Sequence, residues 1–376
     1  MQVSLIKRTR ITGSTLLVSS LMFLLLFLNG CATQQASEST AAAEPAVTAP
    51  VQTTAAVAVA DQLSDERIKA ALQNAYNKYK NNQDGKNADY IKALADVDSK
   101  LFGISVVTAD GRVFDIGDTD AEFSIQSISK VFTYAKVMQE FGPEAVKEKI
   151  GVNATGLPFN SIYAIELNEV KTVNPFVNAG AIASTSLVPA KNSEQRWDII
   201  KTNMDDYAGR KLDFNEVVYE SEVNDNLRNQ AISKILDASG YMYSDPLEAT
   251  TVYTQQCSVN VSSHDLAVMG SVLANQGVNP ITNKKLLNAD YTKNVLAVMA
   301  TAGLYDNAGE WLYETGSPAK SGVGGGILAV VPGKMGIGVF SPPLDKYGNS
   351  VRGQLAAASI INELGLNPLS PGLSAK

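Results

Sequence analysis

The chain has 376 residues, 45% of them hydrophobic, and a formal net charge of −7. That is enough chain and apolar surface for a sizeable core in one large or two small domains. The acidic balance, with no Lys/Arg cluster beyond the first ten residues, argues against a nucleic-acid partner, whose phosphates need a basic patch. One histidine, His264, and two cysteines, Cys31 and Cys257, exclude zinc sites that need paired histidines or a set of cysteines. No metal or cofactor is expected.

Residues 1–30 read as a lipoprotein signal peptide. Lys7, Arg8 and Arg10 precede an apolar run from Leu16 to Leu28, and Leu28-Asn-Gly-Cys31 closes it. The run is shorter than the roughly 20 residues an uncleaved membrane helix requires. The mature chain is expected to begin at Cys31 and to be held by a lipid on that residue. Ala32, in place of Asp, favours the periplasmic face of the outer membrane. Cys257 is then unpaired, so no intrachain disulfide is expected. Residues 31–62 are rich in Ala, Thr and Pro and poor in large apolar residues, the composition of a disordered tether.

The folded domain is expected over 63–376. Asp65 to Lys80 reads as a helix with Ile68, Leu72 and Tyr76 on one face. A second helix is expected to carry Tyr90, Ile91, Leu94 and Val97. Phe102–Thr108 and Arg112–Ile116 form a hairpin with Asp110-Gly111 in its turn. A helix starting near Gln126 aligns Ile128, Val131, Phe132, Ala135 and Met138 as an apolar stripe, and Gly142-Pro143 stops it. From about 143 to 310 the chain is mostly helical. Ala319–Gly322, Gly326–Val331 and Met335–Phe340 read as strands, and Ser350–Leu364 as a closing helix. Strands at both ends around a helical region make an α+β fold, with one antiparallel sheet shared by the two ends.

Three S-x-x-K strings occur, and the pattern alone is weak. Ser4/Lys7 lies in the signal segment. In Ser317/Lys320, Pro318 and the strand that follows separate the two side chains. Ser127/Lys130 opens the apolar helix, where a hydroxyl and an amine share a face and a helix N-terminus favours developing negative charge. For the amine to act as a base it must be neutral, which takes burial or nearby positive charge. Lys320-Ser321-Gly322 lies on a strand that leads into Val-Gly-Gly-Gly326. These glycines let a strand edge approach a ligand closely, and an amide there, with that of Ser127, would make an oxyanion hole. The run lacks the K-[ST] of a phosphate loop. S-x-x-K with a later K-[ST]-G marks penicillin-recognising serine enzymes, but their S-D-N is absent; the nearest string is Ser244-Asp245-Pro246.

Longer strings settle on one resemblance. The chain resembles the serine-dependent glutaminases, which have a β-lactamase-like fold. The matching strings are Ser127-Ile-Ser-Lys130; Asn174-Pro-Phe-Val-Asn-Ala-Gly-Ala181; Ser221-Glu222 with Arg228-Asn229; Tyr253-Thr-Gln-Gln-Cys-Ser258; Asp265-Leu-Ala-Val-Met269 with Leu273-Ala-Asn-Gln-Gly277; and Pro318-Ala-Lys-Ser-Gly-Val-Gly-Gly-Gly-Ile327. The resemblance implies hydrolysis of L-glutamine to L-glutamate and ammonia through a Ser-bound glutamyl intermediate. It implies Ser127 as nucleophile and Lys130 as its activating partner. It further implies Asn178, Glu222, Asn229, Tyr253, Tyr305 and Val323 as glutamine contacts, with Tyr90 on a weaker motif. Tyr253 or Tyr305 would shuttle the proton to ammonia. It also implies a homo-oligomer, a dimer or tetramer.

Taken singly, these residues have plainer readings. Glu222 lies in a polar acidic run, Asn178 suits a helix cap, and both tyrosines suit a core. Cys257 reads as a buried small hydrophobe and His264 as a cap or surface group. Two rivals remain: a β-lactamase or penicillin-binding peptidase of the same fold, and a non-catalytic glutamine-binding surface protein.

Overall fold

The computed structural model describes residues 63–370. The expected signal peptide, the tether and Cys31 lie outside the described residues. Among the described residues seven strands form: β1 Gly103–Thr108, β2 Val113–Gly117, β3 Phe123–Ser124, β4 Asn260–Val261, β5 Ala319–Gly322, β6 Gly326–Val331 and β7 Met335–Phe340. Five of them make one antiparallel sheet in the order β2-β1-β7-β6-β5, while β3 and β4 pair separately. The expected joining of the chain's two ends is the β1–β7 ladder, in which Ile104 faces Val339 and Val106 faces Ile337.

Strands β1, β6 and β7 are buried along their whole length, because both faces of the sheet are covered. Alternation sorts their side chains to the two faces. Ile327, Ala329 and Val331 join a core with Ile68, Leu72 and Ile360, from the Asp65–Tyr79 and Val351–Glu363 helices. Leu328 and Val330 face the other way, into the larger core that holds Leu266 and Met269 of the Ser263–Ala274 helix. That helix sits almost on the backbone of β7: a Cβ on Gly336 would fall 2.3 Å from Ser271 N.

The larger core is built around the Ser129–Phe141 helix, which a 3-10 turn at Gln126–Ile128 introduces. Ile128, Val131, Phe132, Ala135 and Met138 are all buried in it, as the periodicity predicts, and the helix ends at Gly142, whose φ is +78°. Around it pack the Asn178–Leu187, Ser193–Ala208, Pro246–Cys257 and Ala289–Ala302 helices.

One local expectation is corrected, and one with two alternatives is narrowed to the surface group. The second helix is a single turn, Lys92–Ala95. The Asn87 side-chain amide donates to the carbonyls of Leu94, Ala95 and Val97, capturing acceptors that a longer helix would use. His264 is not the cap of its helix. Ser262 is, in a capping box with Asp265. His264 is instead part-exposed, with Nδ1 3.0 Å from Asp115 Oδ2. Among the described residues, no helix is long and apolar enough to cross a membrane.

Candidate active site

Ser127 lies in the 3-10 turn at the head of the buried helix, 8% exposed. It borders a cleft of about 310 Å³ whose lining includes Tyr90, Gln126, Asn178, Glu222, Asn229, Tyr253, Cys257 and Val323. Besides the Ser127 turn and the loop of Tyr90, five stretches of chain converge here. Val323 comes from the turn between β5 and β6, Asn178 opens the Asn178–Leu187 helix, Glu222 lies in the Glu216–Val223 helix, Asn229 in the Leu227–Ala238 helix, and Tyr253 in the Pro246–Cys257 helix. The glycines of the β5–β6 turn let it press on the Ser127 turn. A Cβ on Gly322 would fall 2.7 Å from Ile125 O, and one on Gly324 2.5 Å from Ser124 O. The close approach expected of these glycines is therefore made to the Ser127 turn.

Lys130 follows in the first turn of the helix and is buried. Its Nζ donates to Asn178 Oδ1 at 2.8 Å and to Phe176 O at 3.3 Å, so in this state it is turned to Asn178 rather than bonded to Ser127. Burial brings its pKa down to about 8, with Cys257 and Glu222 pulling the other way. Asn178 is a junction, not a cap. Its Oδ1 also accepts from Tyr253 Oη at 3.2 Å, and its Nδ2 donates to Asn229 Oδ1 at 2.9 Å. Glu222 accepts from Gln126 Nε2 at 2.6 Å. Burial pushes its carboxyl up to about 7, while the Gln126 amide and the Lys130 charge pull it down.

Tyr305 is not part of the cleft lining, but its hydroxyl lies near that of Ser127. It lines an adjoining hollow of about 230 Å³ that shares Phe159 with the cleft, and its φ is +54°, a conformation that favours glycine. Among the described residues, its buried hydroxyl has no hydrogen-bond partner of good geometry. Burial pushes that hydroxyl up to about 12, and the nearby hydroxyls of Ser127 and Ser321 act the other way. Lys320 is fully buried in β5, with Nζ 4.2 Å from the centre of the Tyr305 ring and donating to Ser321 O. Burial, and then the charge of Lys130, hold its pKa well below the ordinary lysine range. Tyr90, from the loop before the one-turn helix, is exposed as a residue but borders the cleft. Cys257 is buried as expected, and burial pushes its thiol up to about 12, which keeps it neutral.

The sequence reading missed Gln126 and did not expect Cys257 to line the cleft. Gln126 carried one signal: it is a long polar residue directly before the serine. Among the described residues, no group of three or more His, Cys, Asp or Glu is placed to hold a metal.

The sequence profile of the Glutaminase family matches residues 85–368. A glutaminase of Colwellia psychrerythraea is 53% identical over 300 residues, covering 80% of this chain and 96% of that protein. Glutaminase 1 of Shigella flexneri is 48% identical over 305 residues, covering 81% of this chain and 98% of that protein. The solved structure of a probable glutaminase superposes with a TM-score of 0.81 at 48% identity, over 82% of this chain and 100% of that one. Mglu in its glutamate form gives a TM-score of 0.77 at 38% identity, over 82% of this chain and 71% of that one. The α+β, β-lactamase-like fold is thus the fold of its relatives, and the chain belongs to the glutaminase family.

Proposed function

We propose that the protein hydrolyses L-glutamine to L-glutamate and ammonia, with Ser127 as nucleophile and Lys130 as its base. The observation that carries this is a cleft lined by the Ser127 hydroxyl and a buried carboxylate, Glu222, with a buried lysine bonded to Asn178 of its wall and, among the described residues, to no carboxylate. A neutral amine is a base, and burial lowers the Lys130 pKa to about 8, so that a fraction of the amine is neutral near physiological pH. Ser127 Oγ attacks the side-chain amide carbon of glutamine, and its proton passes to Lys130. The backbone amides of Ser127 and Val323 hold the oxyanion. Collapse breaks the C–N bond and releases ammonia, and water then hydrolyses the glutamyl ester to give glutamate and free Ser127. Of the two tyrosines, Tyr253 already donates to Asn178, whereas the Tyr305 hydroxyl is uncommitted. Tyr305 is therefore assigned the relay that gives a proton to the leaving ammonia and regains one from Lys130. Glu222 takes the α-ammonium of the substrate, while Asn178, Asn229 and Tyr90 supply donors for its α-carboxylate.

The same reading makes this an exported enzyme, held by a lipid on Cys31 at the periplasmic face of the outer membrane, and a dimer or tetramer. The chemistry is tested by ammonia release from glutamine, wild type beside Ser127→Ala, with mass spectrometry of a trapped glutamyl adduct on Ser127. Equal release from the two proteins refutes it. Membrane association that persists unchanged in Cys31→Ser refutes the anchor.

A further inference from the structure

A second polar cluster lies in the core behind the site, and the chemistry above leaves it unused. Gln256 is fully buried, and its Oε1 accepts from Thr133 Oγ1 at 2.8 Å and from Thr185 Oγ1 at 3.3 Å. Both threonines are buried as well, and Thr185 shares its one hydrogen with Ala181 O at 3.0 Å. Among the described residues, Gln256 Nε2 has no partner. The three residues come from the Ser129–Phe141, Asn178–Leu187 and Pro246–Cys257 helices. These are the helices that carry Lys130, Asn178 and Tyr253. Thr133 stands at i+3 from Lys130, Gln256 at i+3 from Tyr253, and Thr185 at i+7 from Asn178, so each pair shares a helix face. At the site, Lys130 Nζ and Tyr253 Oη both donate to Asn178 Oδ1, at 2.8 and 3.2 Å. Behind it, the two threonines both meet Gln256 Oε1. The same three helices are thus tied at two levels.

We propose that Gln256 is a positioning residue: tied to Thr133 and Thr185, it fixes the three helices against one another so that the Lys130 amine, Asn178 and the Tyr253 hydroxyl keep one arrangement at the Ser127 turn. The inference rests on the assignment of Lys130 as the base and adds what holds that base in place. Gln256 does not line the cleft, so it acts through its neighbours. The tie works against stability. An apolar side chain of the same shape would fill the place without leaving an amide hydrogen bare in the core. What the amide supplies is direction. Apolar packing accepts small rotations and slides of one helix on another, whereas a buried hydrogen bond is lost when its partners move off line. Two levels of such bonds leave the helices little room to turn.

The test compares Gln256→Met, Thr133→Val, Thr133→Ser and the double variant Gln256→Met/Thr133→Val in the full chain, by glutamine kinetics and thermal melts. Methionine keeps the length of glutamine, and valine keeps the shape of threonine without its hydroxyl. Misplacing a reacting group by about 1 Å costs up to about a hundredfold, so kcat is expected to fall about ten- to a hundredfold in Gln256→Met and in Thr133→Val. KM should change by less than about threefold, because Glu222 and Asn229 stand on other helices. Thr133→Ser keeps the hydroxyl and should retain most of kcat. In the double variant the second substitution should add little, since both break the same tie. That variant removes donor and acceptor together, so it should melt within about 4 °C of wild type, which separates lost activity from lost folding. Wild-type kcat in the double variant, with Lys130→Met inactive, overturns the proposal. So does a kcat in Thr133→Ser as low as in Thr133→Val, or a KM defect as large as the kcat defect. Full activity in Lys130→Met overturns the parent reading instead.

Discussion

Replacing Lys130 with methionine is expected to remove activity and raise stability together. The buried amine titrates at about 8 rather than at 10.5. At about 1.4 kcal/mol per pH unit, keeping it there costs the folded state about 3 kcal/mol. The sign follows from which state binds the proton. The folded pKa is the lower one, so between about 8 and 10.5 the unfolded chain binds more protons. The penalty is complete below pH 8 and disappears as pH approaches 10.5. Methionine matches the length and apolar bulk of the lysine stem but gives up the bonds to Asn178 Oδ1 and Phe176 O. The carbonyl of Asn178 retains Tyr253 as a donor, so the lost bonds return about 1–2 kcal/mol of the gain. A net gain of about 1–2 kcal/mol is left, or roughly 2–6 °C in Tm for a chain of this size. Thermal melts of wild type and Lys130→Met from pH 6 to 10.5, beside ammonia release at each pH, check it. A methionine variant that melts below wild type at pH 7 refutes the reasoning, and so does a Tm difference that stays constant up to pH 10.5.

Two further outcomes follow from the same geometry. Turnover needs Glu222 ionised and Lys130 neutral, and these groups titrate near about 7 and about 8; kcat/KM should therefore climb steeply below pH 7, flatten above pH 9, and not peak in acid. The raised Glu222 pKa acts on stability in the opposite direction to Lys130, because the folded state binds the extra proton, so its contribution is lost as pH rises from 4.5 through about 7. Away from the site, Gly336→Ala places a methyl 2.3 Å from Ser271 N and 2.5 Å from Ala267 O, both backbone atoms that cannot rotate aside; urea unfolding should show a loss of about 3 kcal/mol or more, and a loss below about 1 kcal/mol would mean that the Ser263–Ala274 helix lifts freely from the sheet.

Much of this protein is legible in its sequence, because periodicity is a local property. The stripe through Ile128, Val131 and Phe132, the turn at Asp110-Gly111 and the three C-terminal strands each depend on residues a few positions apart, and each forms where expected. The Ser127/Lys130 pair is local as well, lying within a single turn. The tertiary structure decided everything that depends on distant neighbours. Asn178 has the look of a helix cap, but bonds instead to Lys130, Asn229 and Tyr253, 48 to 75 positions away. Asn87 cuts short a helix whose apolar spacing was adequate, by taking its carbonyls. Gln126 meets Glu222 across 96 positions. Charge state is decided in the same way. Lys130 and Glu222 are ordinary titratable residues in the sequence, and only the packing of distant stretches of chain around one cleft removes the water that would hold them at their usual pKa values.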